Sequence, residues 1–176
     1  MNPEILLIFT VGTSASGKSS WAQRMRAQYP KLRIGILERD QLRQGMLQKE
    51  SGQVFSWALW NAKWEPAIQE QWQKAFQENL DGDALIIADT HLDPQQLAQE
   101  AAFARDLGIR EMVIQYFSVQ PLVELIRRDQ DRPYPVGAAI LREQIQRLRP
   151  EEEYWMALES VLLETTSGTN QKVLLS

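Results

Sequence analysis

The sequence predicts an α/β domain built on a mostly parallel central sheet. Ile5–Val11 and Ala84–Ala88 have the continuous apolar character of strands buried on both faces, and the runs Leu32–Leu37 and Met112–Phe117 read as two further strands. Segments of helical character separate them, and strands alternating with helices make parallel sheets. The 176 residues suit a single domain spanning 1–176, and 44% apolar with 24% charged residues places it among ordinary globular chains.

Taken in order, the first run ends in a Gly-rich turn, and a helix is expected from Lys18 to about Tyr29. The second run leads into "ERDQLRQG" (38–45), where Asp40 is a good helix cap and the arginines are good helix formers. Gln53–Leu80 reads as one long Trp-rich helix, closed by "DGD" at 81–83. The third run ends at Asp89. Pro94 then suits the first position of a helix that stops at Gly108. The fourth run precedes a helix over Gln120–Arg128. "DRPYPVG" (131–137) must be a loop, and 138–149 is helical again. Ser160–Glu164 is the candidate fifth strand of a sheet of about five. The tail from 165 to 176 shows no clear pattern.

Composition excludes several classes. No apolar run approaches the roughly 20 residues of a membrane span, and "MNPEILLIF" lacks the basic start of a signal peptide. There are no cysteines, hence neither disulfides nor thiolate metal sites; a cytoplasmic location is expected. The net charge of −4 argues against a nucleic-acid partner. Its distribution is less even: 24–43 and 127–149 each hold six Lys/Arg, twelve of the nineteen in the chain. A fold joining the two stretches would have one basic face; scattered solvated arginines are the alternative.

Gly12-Thr13-Ser14-Ala15-Ser16-Gly17-Lys18-Ser19 matches G-x-x-x-x-G-K-[ST], after a strand and before a helix. Such a loop turns backbone N–H groups toward an anion, and the helix N-terminus adds its positive pole. Gly12 through Ser20 are therefore the expected phosphate-binding set for ATP. Lys18 would reach the β- and γ-phosphates, and the Ser19 hydroxyl would ligate Mg²⁺. The fold expected is that of P-loop NTPases and kinases.

Asp89, at a strand end, would face the phosphates; it also suits a turn. His91, the only histidine, reads as structural. Arg128 and Arg132 flank the Pro-rich loop and would close over a transferring phosphate, although Arg128 equally suits a helix C-terminus. Trp57, Trp60, Trp64, Ile68, Trp72 and Phe76 recur at helical spacing and read as core, or as a homo-oligomer contact on the helix 53–80; base stacking is a further alternative. Asp40 follows the second strand, with Arg43 three residues on. A carboxylate there can take a proton from an attacking hydroxyl, and a guanidinium beside it can hold an anionic group of the acceptor. Arg39 has no evident role.

The set "GTSASGKS", "RDQLRQ", "IIADTHLDP" and "ELIRRDQDR" resembles the 5′-kinase domain of bacteriophage polynucleotide kinase and its bacterial RNA-repair relatives, over about residues 4–155. The resemblance implies transfer of the ATP γ-phosphate to a 5′-hydroxyl of DNA or RNA. It implies Asp40 as general base, Arg43 on an acceptor phosphate, Lys18 and Ser19 in the P-loop, and Arg132 on the transferring phosphate with Arg128 beside it. Asp89 matches the carboxylate ending the third strand and is placed toward the acceptor. Gln41 and His91 depart from the family pattern, and no DxDGT phosphatase motif is present. Two other readings stand beside this one. One is a P-loop kinase acting on a hydroxyl of a small molecule such as an antibiotic, sugar or nucleoside, which the acidic net charge suits. The other is a non-catalytic ATP-binding assembly module.

Overall fold

The first apolar run becomes the inner strand on which the molecule is organised. The computed structural model describes residues 4–52 and 55–171. β1 (Leu6–Val11) lies between β3 (Ala84–Ile87) and β4 (Glu111–Tyr116), and β2 (Ile34–Leu37) pairs with the far side of β3. All pairings are parallel: Leu6 sits opposite both Ala84 and Glu111, and Ile34 opposite Ala84. The order β2-β3-β1-β4 puts the C-terminal ends of β1, β2 and β3 along one rim, where the chain turns off into its loops.

Alternation along the strands sends side chains to two layers. Leu7, Phe9, Leu85, Ile87 and Met112 enter the larger core, against α3 (Glu65–Glu78), α4 (Pro94–Asp106) and α7 (Glu151–Gln171). Ile8, Ile86 and Ile36 face the opposite layer, where Ala22 and Met25 of α1 (Lys18–Gln28) pack. α2 (Arg39–Ser51), α5 (Leu122–Gln130) and α6 (Ala138–Arg147) complete the helices. None of the described helices is long and apolar enough to cross a membrane.

The structure departs from the sequence expectation in three places. Ser160–Glu164 is helical, within α7, so the described sheet has four strands, not five. Tyr154, Leu158 and Val161 are buried at spacings of four and three, the period of a helix face seated on α4 and β4. Second, the Trp-rich segment is not one helix. Pro66 starts α3, and Ala62–Trp64 forms only a 3₁₀ turn before it. Ile68, Trp72 and Phe76 bury in the core, whereas Trp57, Trp60 and Trp64 gather around Phe55 in a separate aromatic cluster. Third, Asp40 does not cap α2: Glu38 holds the N-cap position and Asp40 lies in the first turn. Of the unpatterned tail, 172–176 lies outside the described residues, as do 53 and 54 of the Trp-rich segment.

Candidate phosphoryl-transfer site

The loop after β1 is fixed at both ends before it can meet a ligand. Gly12 N–H donates to Thr90 O at 3.0 Å, and the Thr10 hydroxyl donates to Asp89 O at 2.9 Å, tying the loop to the end of β3. Gly12 also passes close to the end of β4: a Cβ there would stand 2.8 Å from Phe117 Cβ, so no larger residue fits. Ala15 (φ 60) and Gly17 (φ 100) adopt left-handed backbone, turning the loop into an anion-binding concavity at the start of α1. The first turn of α1 holds no acidic residue to oppose its positive pole, and Ser19 and Ser20 are exposed there.

Lys18 lies beneath this loop, buried, with Nζ donating to Thr13 O at 2.6 Å and Gly12 O at 3.0 Å. Burial, reinforced by the charge of Arg132, holds its ammonium down at about 8. An entering phosphate would reverse both effects, by supplying a counter-charge in place of neutral carbonyls.

The cleft beside the loop encloses about 400 Å³, and Lys18, Ser19, Glu38, Asp40, Arg128 and Arg132 all line it. Asp40 and Arg132 come from different segments, α2 and the loop after α5, and approach to 3.9 Å. The Pro-rich loop is ordered by Asp129, which is buried and accepts from Arg132 Nη1, Val136 N–H and Gly137 N–H at 2.8–3.2 Å. Arg128 also faces the cleft, its Nε 2.7 Å from Glu124 Oε1.

Arg43 and Asp89 border the same cleft but are engaged elsewhere. Arg43 makes a two-pronged ion pair with Glu65, both contacts at 3.1 Å, and donates to Asp40 Oδ1 at 2.8 Å. Glu65 is fixed in turn by Trp60 Nε1 at 2.8 Å. Asp89 accepts from the Arg39 backbone N–H at 2.8 Å with one oxygen and from the Arg39 guanidinium with the other. Both Asp89 oxygens are thus engaged by Arg39 at the rim of the cleft.

Arg39, left without a role by the sequence, is the centre of a buried charge network. It joins Asp89 to Glu100, at 2.8 Å, and its guanidinium lies over the Trp72 ring. His91 completes the network. Its Nδ1 is 2.7 Å from Thr10 O and its Nε2 2.9 Å from Glu100 Oε2. A carbonyl only accepts, and burial, which pushes Glu100 up, is outweighed by His91 and Arg39, which hold its carboxyl at about 2. Burial pushes the His91 pKa down, and the facing Glu100 carboxylate outweighs this and raises it. His91 also lines the cleft.

A model of the AAA domain family matches residues 7–151. The chain belongs to the AAA domain family. Solved structures share its fold. It is similar to the crystal structure of APE1195 at 18% identity and TM-score 0.53, over 73% of this chain and 68% of that one. It is similar to a Deinococcus radiodurans tunicamycin resistance protein at 17% identity and TM-score 0.50, over 92% and 95% of the two chains. A gluconokinase from Sinorhizobium meliloti 1021 overlays at 15% identity and TM-score 0.49, over 97% and 98%. These are likenesses of fold, and they do not single out polynucleotide kinases.

Glu38 is the site residue that motif matching passed over. Burial raises its pKa against the opposing hydrogen bonds from the Ser19 and Gln41 side chains, and its Oε1 is buried with no hydrogen-bond partner. An orphaned carboxylate oxygen beside the Ser19 hydroxyl suits a hard cation. Among the described residues no cluster of three His, Asp or Glu is arranged to cage a metal. The fit is thus to Mg²⁺ that keeps waters and substrate phosphates as its other ligands. The only sequence sign of Glu38 was its place two residues before Asp40.

Proposed function

We propose that this AAA domain protein is an ATP-dependent phosphotransferase whose acceptor is a hydroxyl of a small molecule. One observation carries the choice of acceptor. The guanidinium of Arg43, which a polynucleotide kinase would place on an acceptor phosphate, is already neutralised by Glu65 on one side and Asp40 on the other. A neutral acceptor needs no such clamp.

In this reading the triphosphate lies along the Gly12–Ser20 loop. Asp40 Oδ1 is occupied by Arg43, which orients the carboxylate and leaves Oδ2 for the acceptor. The acceptor oxygen forms its bond to the γ-phosphorus as the bond to the β-γ bridging oxygen breaks. The hydroxyl proton passes to Asp40, and ADP is the leaving group. Lys18 and Arg132 neutralise charge on the transferring group, and Arg128 adds to that field from the end of α5. Mg²⁺, held by Ser19 and Glu38, would supply further charge neutralisation. Most of the rate enhancement is then positioning and electrostatics.

A polynucleotide 5′-hydroxyl kinase is the second reading, favoured by Asp40, Arg43 and Arg132 bordering one cleft. The two separate in one assay. Labelled ATP and Mg²⁺ are supplied with uncharged nucleosides, sugars and hydroxylated antibiotics, and in parallel with DNA and RNA oligonucleotides bearing a 5′-hydroxyl. Label in a small molecule is the expected result; label confined to the oligonucleotides would overturn the main reading in favour of the second.

A further inference from the structure

We propose that the cleft adjoining Asp40 on the outer face of α2 is the acceptor subsite, and that it takes an uncharged, hydroxyl-bearing ring such as a nucleoside or a sugar. This rests on the transferase reading above and deepens it.

The cleft has a volume of about 570 Å³, in the range of pockets that enclose small organic ligands. It joins the phosphoryl-transfer cleft through Gln44, which lines both. Gln41, Gln44 and Gln48 recur at three- and four-residue spacing on α2 and all line the cleft, the Gln41 side chain also hydrogen-bonding Glu38. Phe55 and Tyr134 form the opposite wall, ring edge to ring face at 83°. Among the described residues, no Asp, Glu, His, Lys or Arg lines the cleft. Amides offer both donors and acceptors, and aromatic walls take the apolar face of a ring. Those are the needs of a sugar or a nucleobase, and a phosphate or carboxylate finds no counter-charge here.

Gly45 gives an independent reason to read the cleft as a ligand site. It sits in the middle of α2, where glycine is a poor helix former. Its backbone is not in the positive-φ region, and a Cβ added to it would meet nothing within 4 Å. Neither backbone nor packing therefore calls for glycine. What it does is leave the floor of the cleft open between Gln41 and Gln48. Tyr134 extends the case to the lid: it lies two residues from Arg132, so a ring packed on Tyr134 also seats the loop that carries Arg132 toward Asp40.

The test reads binding without turnover. Wild type, Gly45→Leu and Tyr134→Ala are saturated with a non-hydrolysable ATP analogue and Mg²⁺, then titrated with uridine, adenosine, D-glucose, D-gluconate and a 5′-hydroxyl tetranucleotide. At least one uncharged probe is expected to bind wild type, with gluconate and the tetranucleotide about tenfold weaker or worse. Both substitutions should weaken that probe by about tenfold while the affinity for the ATP analogue changes by less than about twofold. Thermal melting checks that both variants fold; Gly45→Leu should melt no lower than wild type. The proposal is overturned if no uncharged probe binds, if the charged probes bind better, or if Gly45→Leu leaves binding intact. The outcomes also separate this proposal from the transferase reading. A neutral ring that binds here, while no small molecule is phosphorylated, counts against the transferase and keeps the cleft as a ligand site only. Phosphorylation of a small molecule indifferent to Gly45→Leu keeps the transferase and refutes the subsite.

Discussion

Arg132 Nη2 stands 3.9 Å from Asp40 Oδ2, a contact between the loop after α5 and the first turn of α2. In the proposed transfer, Asp40 would receive the proton and Arg132 offset the charge, and both line one cleft. Asp40→Asn keeps the shape and removes the basic oxygen. The expected loss in turnover is about 10²- to 10⁴-fold, with nucleotide affinity unchanged. Single-turnover kinetics beside fluorescence titration of an ATP analogue would check this, and undiminished turnover would strip Asp40 of its role.

Lys18 makes the free site sensitive to pH. Its pKa in the fold is lowered to about 8, so the ammonium is disfavoured there below pH 8 and the penalty fades as pH rises toward 10.5. Relative to Lys18→Met, the stability of the protein should therefore increase between pH 8 and 10.5, by up to about 3 kcal/mol. An ATP analogue binding at pH 8 should be accompanied by proton uptake, as the phosphates draw the pKa back up. Calorimetry in two buffers of different ionisation enthalpy reads that uptake, and Lys18→Met should abolish it.

Arg39 compensates two buried carboxylates at once, Asp89 and Glu100. Arg39→Met would leave both facing a gap in the charge network, and the expected destabilisation is about 3–5 kcal/mol by urea unfolding. A companion effect follows from Glu100, held at about 2 against an ordinary 4.5. A depressed carboxyl contributes stability above pH 4.5 and loses it as pH falls toward 2. Glu100→Gln should flatten the acid limb of the stability profile across that window.

The Tyr154 hydroxyl donates to Leu92 O at 3.0 Å and accepts from Arg149 N–H at 3.1 Å. It joins α7 to the turn that carries His91. Tyr154→Phe keeps the ring and leaves both backbone groups without this partner, at a cost of about 1–3 kcal/mol. Chemical denaturation measures the loss, and amide exchange at Leu92 and its neighbours should quicken. A variant as stable as wild type would show that water replaces the hydroxyl.

Local chemistry made much of this protein legible from its sequence. Ile5–Val11 and Ala84–Ala88 read as strands because runs buried on both faces need no partner pattern to be recognised. Gly12–Ser19 read as a phosphate loop because its glycines and its place between strand and helix leave few other uses. Asp40 and Arg132 stand out as candidates by their places after the second strand and beside the Pro-rich loop. What needed the tertiary structure was every question about pairing. Trp57 and Trp72 share a helical spacing, yet Pro66 and the 3₁₀ turn divide them, one into the aromatic cluster by the site and one into the core. "SVLLE" has strand composition, but its burial follows the helix face begun by Tyr154. Arg43 and Arg39 look alike in "ERDQLRQG", and only the fold brings Glu65 to the first and Asp89 with Glu100 to the second. Glu65 and Glu100 lie 22 and 61 residues away from those arginines. A charge's function depends on which opposite charge shares its low-dielectric surroundings, and across such distances that is decided by the packing of helices on the sheet.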